Sequence, residues 1–177
     1  MDKIIKILSF LLGLSEPKKV ESTMIKPKKK PARITVKKTS RKISKIIIHC
    51  SATSSKIDVG VKEIRRWHTD KGWNDIGYHL VIRRNGKIEE GRSIDIMGAH
   101  TRGYNRDSIG ICMIGGVDEY NDPDENFTGK QWVSLRQLLK VLRADYKKAT
   151  IHGHNEFSNK ACPSFDVQRE LSNGRLA

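Results

Sequence analysis

Cysteine is scarce in this chain. Only Cys50, Cys112 and Cys162 occur among 177 residues. An odd count excludes a fully paired disulfide framework, and the density is far below that of small secreted scaffolds. Free thiols or a metal ligand remain as their uses. Long apolar runs are missing too: no stretch reaches the roughly 18–20 residues that a spanning helix needs. Apolar residues make up 37% of the chain against 31% charged, a low share for a uniformly folded protein, so part of it is expected to be unfolded. No internal repeat is visible. At 20.1 kDa there is room for one domain of ordinary size but not comfortably for two.

Acidic residues are few at the N-terminus. Residues 1–45 carry 14 basic and 3 acidic side chains, whereas residues 46–177 carry 20 and 17. The formal charge of +14 therefore belongs mostly to an N-terminal arm. A nearly neutral remainder argues against a basic nucleic-acid-binding fold, and no specific nucleic acid is expected as a partner.

The arm has two parts. Residues 1–15 form a short apolar segment in which Lys3, Lys6, Ser9 and Gly13 recur at helical spacing. That pattern fits an amphipathic helix touching a membrane surface through residues 3–14. A secretory signal has the right apolar length, but Glu16, Pro17 and Lys18 follow in place of a small-residue cleavage site. A helix packed on its own domain is the plain alternative. Residues 16–45, rich in Lys, Pro, Ser and Thr, read as a flexible linker.

From residue 46 the pattern changes. Lys45–Cys50 is a β-branched run that predicts a buried strand. Val61, Ile64, Trp67 and His68 have helical spacing over 61–71, and Gly72 stands where that helix can end. Tyr78–Arg84 and Lys87–Glu90 flank Asn85-Gly86, a strong hairpin signal. Ser108–Ile114 predicts another strand. Thr128 can cap a helix running to about Lys148, and Thr150–His154 predicts a last strand. Alternating strands and helices with one hairpin imply an α/β domain over 46–177, a central mixed β-sheet flanked by helices.

Six histidines are present: His49, His68, His79, His100, His152 and His154. A lone histidine is usually structural, but clusters with cysteine at strand ends are another matter. His49 ends the first predicted strand, His154 the last, and Cys162 follows eight residues later. Two neutral imidazoles and a thiolate with one open position are a workable catalytic zinc set, able to lower the pKa of water towards about 7 and to polarise a carbonyl. Spacing does not choose between His152 and His154, which share a face if both lie on one strand. Only one of His49 and Cys50 can point at such a site.

Four segments settle the resemblance. IIIHCSAT (46–53), EIRRWHTDKGWNDIGYHLVIRRNGKIEEGR (63–92), GAHTRGYNRDSIGICMIGG (98–116) and HNEFSNKACPSFD (154–166) occur in this order. Together they resemble the phage-type zinc N-acetylmuramoyl-L-alanine amidases, the family related to peptidoglycan recognition proteins. The resemblance covers nearly all of 46–166 and leaves the first 45 residues out.

It implies a zinc ion held by His49, His154 and Cys162, with Tyr78 and Lys160 in catalysis. It implies hydrolysis of the amide between N-acetylmuramic acid and the L-alanine of the stem peptide, with peptidoglycan as substrate and cell-wall lysis as outcome. Lys160 can supply a cation to the oxyanion, and Tyr78 can donate a hydrogen bond or help move a proton. Which does which is left open. His100 is a candidate for the substrate groove or for a local hydrogen bond. His68 is expected to pack; Trp67, Trp73 and Trp132 could stack on sugars, with core packing the default for each; Cys50 and Cys112 are expected to be small core residues, and Asn105 and Ser108 to fix a turn. A non-catalytic wall-binding module of the same fold is the alternative; it typically lacks the ligating cysteine, which this chain keeps. A thiol hydrolase using Cys162 is a further one, and it would survive chelation. A monomer suffices for all of these.

Overall fold

The structure, a computed structural model, describes residues 34–176. The expectations for residues 1–15 and for the linker up to residue 33 lie outside the described residues. Five strands form one mixed sheet in the order β3-β2-β4-β1-β5. They are β1 (Lys45–Cys50), β2 (Leu80–Ile82), β3 (Ile88–Glu90), β4 (Ser108–Met113) and β5 (Thr150–Gly153). β1 lies parallel to both β4 and β5, β2 is parallel to β4, and only the β2–β3 hairpin is antiparallel. Three helices accompany the sheet: α1 (Val61–Thr69), α2 (Gly129–Asp145) and α3 (Val167–Ser172). Among the described residues, no helix is long and apolar enough to cross a membrane.

Strand alternation divides the core into two layers. Ile46, Ile48 and Cys50 of β1, Ile109, Ile111 and Met113 of β4, and Leu80 and Ile82 of β2 face one side. There they meet Trp132, Leu135, Leu138, Leu139 and Leu142, the apolar stripe of α2. Thr128 caps that helix, accepting from the Gln131 N–H while Gln131 bonds back to Thr128. The opposite face carries Val81 and Cys112, covered by Val61 and Ile64 of α1 together with Ile76 and Ile114. His49 points to this second face, one residue out of step with Cys50.

Three differences from the sequence reading have physical causes. β2 covers only Leu80–Ile82: just before it the His79 side chain, in place of backbone, accepts from the Gly110 N–H of β4 through Nδ1 at 2.9 Å. β5 stops at Gly153, and His154 opens a 3-10 turn, His154–Glu156. The packed region also begins before residue 46. Ile34 and Val36 lie against the main core, and Thr39 and Ile43 are buried. The Arg41 guanidinium donates to the carbonyls of Ile94, Ile96, Asn105, Arg106 and Ser108. Composition alone places 34–45 in the linker because its lysines and threonines outnumber its few apolar anchors.

Candidate active site

His49, His154 and Cys162 come together at the C-terminal ends of the parallel strands, the edge where open α/β sheets place ligands. One donor atom from each lies no more than 4.8 Å from the others. Among the described residues this is the one such three-residue cluster of potential metal ligands. His49 Nδ1 faces Cys162 Sγ at 3.8 Å, close to the roughly 3.6 Å separating a nitrogen and a sulfur that share a tetrahedral zinc.

The chain resolves both choices left open by spacing. Strand alternation turns His49 into the site and Cys50 into the core. His152 is spent elsewhere: its Nδ1 pairs with Glu156 at 2.7 Å and its Nε2 meets Thr150 Oγ1 at 2.7 Å. His154, on the turn beyond the strand, is the histidine that reaches the cluster, its ring centroid 4.6 Å from that of His49.

The two imidazoles are in the form that can give a lone pair to a cation, and the thiol is not. Burial holds His49 well below its usual pKa, helped by His100, His154 and Lys160. Burial also lowers His154, with Lys160 adding to it. Both rings are therefore neutral with a lone pair to give. Cys162 Sγ accepts a hydrogen bond from the Cys50 backbone N–H at 3.2 Å. Its thiol is pushed up, first by a hydrogen bond with the Cys50 thiol and then by burial, so a cation must displace that proton to bind.

A cavity of about 330 Å³ opens over the cluster. Tyr78 and Lys160 line it beside the three donors. The Tyr78 ring stands 5.1 Å from His49, and burial raises its hydroxyl well above the usual phenol value, so it is a proton-bearing donor. Lys160 is exposed at the rim. Trp67, His68 and Trp73 form a wall of the same cavity. For His68 and Trp73 the expectation of plain packing is too narrow. His68 Nδ1 accepts from Gly77 N–H at 2.9 Å, and its ring lies against Trp73, which is 41% exposed. The signal was the place of His68 in the last turn of an amphipathic helix with Trp73 just beyond it, but a helix face has no way of announcing a groove. Trp132 packs in the core as expected, and so do Cys50 and Cys112.

His100 lies at the cavity floor and is 9% exposed. Its ring nitrogens contact His49 Nε2 and Thr101 on one side and Ser108 on the other. Both ring nitrogens are engaged within the protein, so what the ring offers the cavity is its carbon edge while its nitrogens serve the local bonds. Burial holds its pKa to about 3.

Fold and cluster together define a class: an α/β protein with a candidate catalytic metal centre, three ligands and an open groove. The chain belongs to the N-acetylmuramoyl-L-alanine amidase family, which it matches over residues 39–165. An endolysin of Enterobacteria phage K11 is 49% identical over 133 residues, covering 75% of this chain and 88% of that protein. Peptidoglycan-recognition protein SC2 of Drosophila simulans is 33% identical over 127 residues, 70% of this chain and 66% of that one. Among solved structures, the endolysin N-acetylmuramoyl-L-alanine amidase LysCS from Clostridium intestinale superposes with a TM-score of 0.65 at 27% identity, covering 76% and 84% of the two chains. The activity is that of a peptidoglycan amidase.

Proposed function

We propose that this amidase is zinc-dependent, with His49, His154 and Cys162 as ligands and Tyr78 and Lys160 as catalytic groups, and that it serves cell lysis. The single observation that carries the ligand set is the convergence of one sulfur and two neutral imidazole nitrogens within 4.8 Å under an open cavity. The donor chemistry fits zinc, which favours sulfur and imidazole and takes three protein ligands in catalytic sites. When bound, zinc supplies a Lewis acid that polarises the scissile carbonyl and acidifies water.

The chain's own residues do the rest. The Tyr78 hydroxyl, held protonated, donates a hydrogen bond to the oxygen that gains charge as the carbonyl is attacked. The Lys160 ammonium at the rim adds positive charge on the same side. Trp73 and Trp67 offer flat apolar walls on which sugar or peptide can lie. Lys71 also borders the cavity and gives its rim a second cation for carboxylates of a stem peptide. We extend the reading to residues 3–14, whose spacing suits a membrane surface, and to a monomeric state.

Mass spectrometry of digested peptidoglycan tests the activity. Free stem peptides with an L-alanine amino terminus are expected; new reducing sugar ends would mean a glycosidase instead. Full activity in excess chelator would overturn the zinc reading and favour a thiol mechanism.

A further inference from the structure

We infer that His100 is a positioning residue: with Ser108 and the Tyr104 carbonyl it forms a one-way hydrogen-bond chain that fixes the tautomer of His49, leaving the Nδ1 lone pair aimed at the metal position. The inference rests on His49 being a ligand, as proposed above.

The direction of the chain follows from its far end. A carbonyl oxygen only accepts, so the 2.7 Å contact between Ser108 Oγ and Tyr104 O uses the hydroxyl's single proton. Ser108 Oγ must then accept at its 3.2 Å contact with His100 Nε2, which places that ring's proton on Nε2. A cationic His100 is disfavoured, because the ring is buried against the rings of His49 and His79 rather than a carboxylate. Its Nδ1 is therefore a bare acceptor. His49 Nε2 lies 3.0 Å from it and must bring the proton. The reverse arrangement sets two lone pairs against each other at that distance. Thr101 Oγ1 sits 3.0 Å from His100 Nδ1 and 3.3 Å from His49 Nε2, where its oxygen can accept from His49 Nε2–H while its own hydroxyl proton donates to His100 Nδ1, an arrangement that keeps the same His49 tautomer. With Nε2–H fixed, His49 is left with its lone pair on Nδ1, the nitrogen that faces Cys162.

The frame around His100 is built for one ring position. Asn105 Oδ1 accepts the backbone N–H groups of His100 and Thr101, each at 2.8 Å. A Cβ on Gly110 would sit 2.5 Å from the ring's Cγ and Cδ2, and one on Gly98 would sit 2.5 Å from Cδ2. Two glycines thus leave a slot only an imidazole-thick group fills. Ser108 and Thr101 are buried, which keeps water from competing for the chain.

The test uses the full-length protein labelled with ¹⁵N-histidine. Long-range ¹H–¹⁵N correlation on the metal-free protein is expected to show His49 protonated on Nε2. His100→Leu removes the acceptor. It should leave His49 a mixture of tautomers and weaken zinc binding, measured by competition with a chromophoric chelator, by about 10–100-fold. His100→Asn keeps an oxygen near the Nδ1 position and should restore most of both. Ser108→Ala, the smallest change, should move the His49 tautomer in the same direction and is the fallback if His100→Leu does not fold. A wild-type His49 protonated on Nδ1 overturns the inference. So does a folded His100→Leu, or in its place Ser108→Ala, with the wild-type tautomer and affinity. A wild-type Nε2–H tautomer in a protein that takes up no zinc upholds the hydrogen-bond chain and refutes the ligand reading instead, so the two failures are distinguishable.

Discussion

Cys50 and Cys162 show how little residue type says about role. Both sulfurs lie near one another, and the Cys50 backbone N–H donates to Cys162 Sγ, yet only Cys162 joins the two histidines. Cys162→Ser should therefore remove most of the bound zinc, read by elemental analysis of the purified protein, while Cys50→Ser should not. Full zinc retention in Cys162→Ser would reassign the ligand. Tyr78→Phe removes one donor without touching the cluster. It should lower kcat by about 10²–10³-fold with zinc content unchanged, the usual effect of losing an oxyanion donor. At this scale the chain was legible only in part. His49 and His154 stood out as types at strand ends and Cys162 in the loop eight residues on, but the choice against His152 came from the family resemblance. The physical reason is the turn itself: β5 ends at Gly153 and a 3-10 turn begins at His154, while Glu156 and Thr150 capture His152. The roles of His68 and His100 depend on Gly77, Ser108 and Thr101 arriving from elsewhere in the fold, and no spacing rule carries that.

The elements were more legible than the contacts between them. β1, β4, α1 and α2 lie where β-branched runs and helical periodicity place them, because each buries a full apolar face. β2 is shorter than its pattern. The segment leading into it is pinned by His79, whose Nδ1 accepts from Gly110 N–H at 2.9 Å and whose Nε2 meets Ile96 O at 3.1 Å. Burial lowers the His79 pKa from 6.5 to about 4, and the residue is 1% exposed. Below pH 6.5 the unfolded chain takes up a proton that the folded chain refuses until about pH 4. The stability His79 contributes is therefore complete above the unfolded value and falls as pH drops through that window. Between pH 7 and 5 it should amount to roughly 2 kcal/mol lost. Urea unfolding at the two pH values checks this. His79→Gln should show a correspondingly smaller loss, and an equal loss in both proteins would remove His79 as a cause.

At the scale of the whole molecule, charge and packing divide the chain differently. Charge places the change near residue 45, whereas the structure has Ile34, Val36, Thr39 and Ile43 against the domain and Arg41 tying that segment to the carbonyls of 94–108. The apolar anchors are too sparse to stand out among lysines, and an arginine with five carbonyl partners has no local signature. Removing residues 1–33 should leave hydrolysis of a soluble muropeptide within a few-fold of the full chain. Removal through residue 45 should lower thermal stability and release the loop that carries His100. Loss of muropeptide hydrolysis in a folded 34–177 protein would make the arm part of the active site. The most direct measurement of the central claim is zinc-edge X-ray absorption on the loaded, full-length protein. One sulfur at about 2.3 Å and light scatterers at about 2.0–2.1 Å with two imidazole signatures are expected. A first shell without sulfur, or with more than one, would contradict the claim.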